Sequence, residues 1–270
     1  MPDFDPFLAE WAAFAANARH SLVERGLKMA QLLEYPDLDI AAYAARIAAM
    51  RESFRLDVDR ARGPTGAIGA LNAHVFGTCG FRGNFEDHYD PRNNFLNEVI
   101  DRRTGIAITV SIIYAEVARG AGIDVGLVSF PGRVLARHGD VVIDAVAGGR
   151  ILSEGDVAAL LEAAVGPGAE LTQALLAPAT PERLLVRMAR NLKHSYMHSY
   201  AHDRALRCAR MALALAPDSA EDVRDAGLLE ARLQNRKGAI EHLGRYLEIN
   251  PNGDDVDHVL EIIRQMRSSL

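Results

Sequence analysis

A spacing of 34 residues recurs through the C-terminal part of this chain and limits what that part can fold into. Pro217 and Pro251 lie 34 apart, as do Ala205 and Ala239, Ala209 and Leu243, Leu213 and Leu247, and Leu192 and Ala226. Small residues at recurring positions, an apolar second helix and a closing proline describe one helix–turn–helix unit used twice. Two such units bury little core by themselves. The tail is therefore expected to lean on the N-terminal part of the chain, with Val256 to Met266 as a final capping helix.

The preceding residues change pattern several times. Leu22, Met29, Leu32 and Leu33 keep one helical face apolar, and Asp39 is placed to cap a second helix carrying Ile40, Tyr43, Ile47 and Met50. A turn is expected at Arg62-Gly63-Pro64, followed by a helix from Thr65 to about Val75. Gly77, Gly80 and Gly83 mark a segment of left-handed turns or close backbone approach. A polar, asparagine-dense loop leads into a helix from Phe95 to Arg102. Ile106 to Gly120 is apolar on nearly every side, so that helix is expected to be buried, with Gly122 as its stop. Alternation then replaces helical spacing. Three strands are expected around Val125–Phe130, Val134–Leu135 and Val141–Ile143, with turns at Pro131-Gly132 and His138-Gly139-Asp140. Ser153 is positioned to cap a helix reaching Val165. The order is an α+β domain, residues 1–166, joined by a loose connection to a helical domain, residues 180–270.

Composition excludes several classes. The chain has 270 residues, 49% of them hydrophobic, so it can build a core and is not expected to be disordered. A net charge of −6 argues against a general nucleic-acid binder, which needs a basic face. Two cysteines, Cys79 and Cys208, form no CxxC pair and no disulfide framework, which points to a reducing, cytoplasmic setting without a thiolate zinc site. No apolar run approaches the roughly 20 residues needed to span a bilayer, so no membrane partner is expected.

FRGNFEDHYDPRNNFLNEVIDRRTGI, GLVSFPG and VIDAVAGGRILSEGDV, together with RMARNLKHSY and DVRDAGLLEARL in the tail, resemble the SirB family. Its members join a transglutaminase-like domain to a tetratricopeptide tail. The wider transglutaminase and papain-like group places a nucleophilic cysteine at the start of a buried helix, then a histidine and an aspartate on neighbouring strands. A helix N-terminus and an imidazolium lower the thiol pKa, and the acid orients the ring. By this resemblance the cysteine position falls on Ala107 and the histidine position on Arg133, leaving only Asp144. Alanine offers no nucleophile, and a guanidinium stays protonated, so it is no general base.

Other residues carry competing readings. Cys79 with His138 and Asp144 is a possible replacement triad; the plainer reading is a small, half-buried residue in a turn. Arg133 with Asp144 reads as a buried ion pair in a former active site or as a surface arginine. Arg92, with Arg82, Arg102 and Arg103, offers forks for an anion, or belongs to a solvated mixed-charge surface. Asn84 and Asn93, with Asn94 and Asn97, suit the stitching of a long loop, with ligand contact as the second reading. His194, His198 and His202 recur every four residues, a spacing that permits a shared metal, although no HExxH pattern accompanies them. The expected function is a non-catalytic interaction or regulatory protein that takes a protein or peptide partner through its tail, without a cofactor. A divergent hydrolase or acyltransferase using Cys79 and a small anionic-ligand sensor are the alternatives.

Overall fold

The computed structural model describes residues 5–57 and 63–268. Helix α1 (Pro6–Ala16) starts at Asp5, whose carboxylate accepts the Phe7 N–H at 3.1 Å. Ser21 and Glu24 form a reciprocal capping box that opens α2 (Leu22–Leu33). Helices α3 (Ile40–Asp57) and α4 (Gly63–Asn72) follow, and α4 widens into a π-helical turn, Ala73–Thr78. Arg62 of the expected turn lies outside the described residues. Gly63 and Pro64 open α4, since proline is tolerated in a first helical turn, where its missing N–H has no partner to lose.

Strand β1 (Arg82–Gly83) runs parallel to β2 (Thr104–Gly105), with α5 (Leu96–Arg102) between them. Helix α6 (Ala107–Gly120) is followed by an antiparallel meander, β3 (Gly126–Phe130), β4 (Arg133–His138), β5 (Val141–Asp144) and β6 (Arg150–Leu152), paired in that order. Sequence alternation anticipated three of these four strands; β6 is three residues long, too short to display a period. Helix α7 (Glu154–Val165) has the Ser153 cap its sequence calls for. The chain ends in α8 (Pro181–His198), α9 (His202–Leu215), α10 (Ala220–Arg232), α11 (Arg236–Ile249) and α12 (Val256–Ser268).

Contacts divide the chain into two compact units. One is residues 19–184; the other is everything from Leu185 onward together with the segment up to Ala18. This differs from the boundaries read from sequence, which kept the first helix with the α+β domain. The reason lies in α1, which packs on α9: Trp11 is fully buried and its indole N–H donates to the Met211 carbonyl at 2.9 Å. The Arg207 guanidinium lies over the Phe7 ring at 4.6 Å. An indole N–H needs a partner when buried, and α9 supplies both the apolar cover and the acceptor.

Within the first unit, α6 is the centre. Its residues from Ile108 to Ala118 are all buried, and α3, β3, β4 and the turn after β5 pack around it. Gly120 sits where α3 crosses: a Cβ there would fall 2.3 Å from the Arg51 carbonyl oxygen. The helix ends as expected at Gly122 (φ +68°), with Gly122 N–H bonded to the Arg119 carbonyl and Ile123 N–H to that of Ala118, a Schellman closure. On one face of the meander Val128, Phe130, Leu135 and Val142 pack with Leu152, Val157 and Leu161 of β6 and α7.

In the second unit the 34-residue spacing proves to be a packing period. Leu192, Ala205, Ala209, Ala226, Ala239 and Leu243 are all buried. Gly227 lets α10 meet α11, since a Cβ there would touch the Leu243 side chain at 2.7 Å. Successive first helices are also tied by charge. Arg190 of α8 grips the fully buried Asp222 of α10, with its Nε 3.0 Å from each carboxylate oxygen, and Arg224 of α10 reaches Asp255 at 3.0 Å, just before α12. Arg190 and Arg224 are themselves 34 apart, a recurrence that apolar spacing does not reveal. Buried Lys193 adds a second contact to α10 through Asp225.

Two predictions follow from this packing. Gly120→Ala should lower stability by about 1–3 kcal/mol in urea unfolding, the range for overpacking against a backbone that cannot retreat; an unchanged midpoint would show that α3 and α6 can separate freely. For Asp222, burial pushes the carboxyl up, but hydrogen bonds from Arg190 and Ser219 and the charges of Arg190 and Lys193 outweigh it and hold it below the ordinary carboxylate range. A depressed acid stabilises the fold above its unfolded pKa, and that contribution fades as pH falls through the lower folded value. Asp222→Asn should therefore be less stable than the parent at pH 7, and the gap should narrow below about pH 4.

Candidate functional site

The N-terminus of α6 is built from the loop in front of it. Thr109 Oγ1 accepts the Ile106 N–H at 3.1 Å and donates to the Asn93 carbonyl at 2.8 Å, tying the first turn to the asparagine loop. The Asn93 side chain accepts from Asn84 Nδ2 at 3.1 Å and donates to the Asp87 carbonyl at 2.7 Å, while Asn84 Oδ1 accepts from the Asp87 backbone at 3.0 Å. Asn84 and Asn93 thus have the stitching geometry that side-chain amides allow. Gly80 adopts φ +73°, and a Cβ on Gly83 would strike Val146 Cγ2 at 2.7 Å, so the glycine segment contains both a left-handed turn and a close approach. Ala107 is the first residue of α6.

Arg133 and Asp144 do meet. The register pairs Ala136 with Ile143, so Asp144 stands opposite Leu135 and diagonal to Arg133 on the same face. Arg133 Nη1 donates to Asp144 Oδ2, and Asp144 is buried. Its other oxygen, Oδ1, is buried without a hydrogen-bond partner among the described residues. The turn after Asp144 is held firmly: Gly149 N–H bonds to the Asp144 carbonyl at 3.0 Å, Asn72 Nδ2 donates to the Gly149 carbonyl at 2.8 Å, and Tyr114 of α6 donates to Asn72 Oδ1 at 2.8 Å.

The replacement triad is not assembled. His138 pairs with Val141, three residues before Asp144, and strand alternation puts the two side chains on opposite faces of the sheet. His138 Nδ1 lies instead 2.7 Å from the Asp124 carbonyl, on an exposed edge. Cys79 follows the π-helical turn, its N–H bonded to the His74 carbonyl at 2.8 Å. Burial pushes its thiol above the ordinary value, and the Arg103 charge offsets only part of that. Three of the four arginines expected to greet an anion have protein partners. Arg92 chelates Asp90, Arg102 lies 3.3 Å from the same carboxylate, and the Arg103 guanidinium covers the Phe81 ring at 4.7 Å.

The histidine stripe is broken. Tyr200 takes φ +60° between α8 and α9, so His202 opens a new helix rather than closing the old one. His194 lies instead beside Glu221 and Asp225, with one potential ligand atom from each within 4.8 Å of the others. Both Asp225 oxygens are already held, one by Lys193 Nζ and the other by Arg224, whose Nη2 is 2.9 Å away. A cation would have to displace an ammonium and a guanidinium there. Burial and the neighbouring Lys193 charge lower the His194 pKa. Sequence periodicity missed this grouping because it joins two helices.

Comparison with known proteins agrees with both units. Residues 41–190 match the transglutaminase-like superfamily and residues 192–264 match a tetratricopeptide repeat model. The chain is 38% identical over 233 residues to a UPF0162 protein of Xylella fastidiosa, covering 84% of this chain and 83% of that protein. It is 26% identical to Protein SirB1 of Salmonella typhimurium, over 63% of each chain, and 30% identical to mouse F-box only protein 21, over 46% of this chain and 21% of that protein. The chain belongs to the SirB-like family of transglutaminase-like proteins, which carry this domain order.

Removing the guanidinium tests the central pair. Arg133→Met should leave Asp144 buried with neither oxygen paired, a loss of about 1–3 kcal/mol in urea unfolding. The double variant Arg133→Met/Asp144→Leu should lose less than the two single losses combined, because no buried charge is then stranded. Strict additivity would mean that the pair is not coupled in solution.

Proposed function

We propose that this protein acts by binding, with the transglutaminase-like unit as a non-catalytic scaffold and the tetratricopeptide unit as the surface that takes a protein or peptide partner. One observation carries the reading: the acid left from the inherited constellation, Asp144, is engaged by the guanidinium of Arg133. The group that this carboxylate meets is a guanidinium and not an imidazole, and Ala107 at the start of α6 offers no atom to attack with. The position of His138 on the opposite face of the sheet supports the same reading against a rebuilt triad. Among the described residues no helix is long and apolar enough to cross a membrane.

Thiol reactivity separates this reading from a divergent hydrolase. A thiol whose pKa is raised stays protonated at neutral pH, and only the thiolate attacks. Alkylation of Cys79 by iodoacetamide, mapped by mass spectrometry, should be slow at pH 7 and still rising at pH 9. A rate that is already at its plateau at pH 6 to 7 would identify an activated nucleophile and reject the non-catalytic reading.

A further inference from the structure

The loop between α11 and α12 carries the one Asn-Gly pair in the sequence, Asn252-Gly253. Together with Arg224, Tyr246, Asn250 and Asp255 it lines a polar recess of about 420 Å³. The packing demands glycine at the second position: a Cβ on Gly253 would fall 2.6 Å from the Tyr246 hydroxyl and 2.6 Å from Asn250 Nδ2. Asn250 Nδ2 already donates to that hydroxyl at 3.2 Å, and Tyr246 in turn donates to Asp255. Asp255 also accepts from Arg224 of α10 at 3.0 Å, so this loop closes the clamp that ties α10 to α12.

Asn252 itself is exposed, and its carboxamide makes no hydrogen bond among the described residues. Asn72, Asn84, Asn93, Asn235 and Asn250 differ, since each of their amides has a partner. The neighbouring backbone is held weakly as well. The Gly253 N–H reaches the Asn250 carbonyl at 3.3 Å, beyond the usual span of such a bond. Gly253 has no Cβ to block an approach to its own nitrogen. A carboxamide that can turn, beside a backbone nitrogen so open, is the arrangement in which an asparagine reacts with its own chain.

We propose that Asn252 is a site of self-modification, with the Gly253 amide and water as its co-reactants. The Gly253 nitrogen gives its proton to hydroxide and attacks Asn252 Cγ. The new N–C bond closes a succinimide ring as the Cγ–Nδ2 bond breaks, and the departing nitrogen takes a proton from water and leaves as ammonia. Water then opens either ring carbonyl, giving aspartate or isoaspartate. Both products add a negative charge, and nothing is oxidised or reduced. The aspartate product suits the fold: 34 residues earlier the corresponding loop carries Asp218, which pairs with Arg245 at 3.0 Å. Isoaspartate does not, because it adds a carbon to the backbone just before Gly253, whose carbonyl accepts the Val256 N–H at 3.2 Å at the start of α12. The isoaspartate form therefore loosens the clamp between α10 and α12.

The test ages the full chain at about 37 °C and pH 8 and maps every asparagine by peptide mass spectrometry, with electron-transfer fragmentation to tell aspartate from isoaspartate. Conversion is read as a gain of about 1 Da at the modified residue. Asn252 should convert at least about tenfold faster than any other asparagine, and both products should form. Asn252→Gln, an exposed change, should abolish conversion there, because its longer side chain must close a larger ring, and should leave the other asparagines as they were. Aged protein containing isoaspartate should unfold at a lower urea concentration than fresh protein, whereas Asn252→Asp should keep the parent's midpoint. An Asn252 that stays intact in the folded chain while a urea-unfolded control converts would overturn the proposal, since the turn would then protect it. So would aspartate as the sole product, which would mean direct hydrolysis without the Gly253 nitrogen. Isoaspartate-containing protein with the parent's midpoint would overturn the effect on α12.

Discussion

Burial of α6 on all sides is the constraint from which the rest of the first unit follows. A helix with no solvent face must have every neighbour fitted to it. Gly120 gives way where the α3 backbone crosses, Thr109 replaces a conventional cap by bonding to Asn93, and Tyr114 finds its acceptor in Asn72. Each polar group on this helix that lacks such a partner carries a desolvation cost of about 1–3 kcal/mol, so the surrounding loops are shaped by hydrogen bonding as much as by packing. The asparagine loop and the Gly148-Gly149 turn are two such adaptations.

The same physics gives the Arg133–Asp144 pair its character. Asp144 is buried, and a guanidinium on the adjacent strand compensates its charge through one oxygen. In a catalytic relative of this fold class an imidazole would accept that role and also move protons. Arginine holds its proton throughout the physiological range, so Arg133 compensates the charge of Asp144 without serving as a general base. The binding role proposed for this protein rests on that property of the pair.

In the second unit, two repeats would leave apolar faces open, and α1 and α12 complete them. Trp11 buries its ring against α9, while Val259 and Ile263 of α12 join Val223 and Leu243. Charge then fixes the register of the stack through Arg190–Asp222 and Arg224–Asp255, which bind first helix to first helix where side-chain packing alone would tolerate sliding.

Local chemistry was legible from the chain alone. The 34-residue period, the Ser153 cap, the Gly122 stop and the buried character of α6 depend on residue type and spacing, and those persist whatever the rest of the fold does. Pairings between distant segments were not legible. The attachment of α1 to α9, the separation of His138 from Asp144 and the meeting of His194 with Asp225 are set by strand register, by a single left-handed residue at Tyr200, and by which apolar face finds cover. These are properties of the packed chain: sequence fixes what a side chain can do, and only the tertiary fold decides which other side chain it meets.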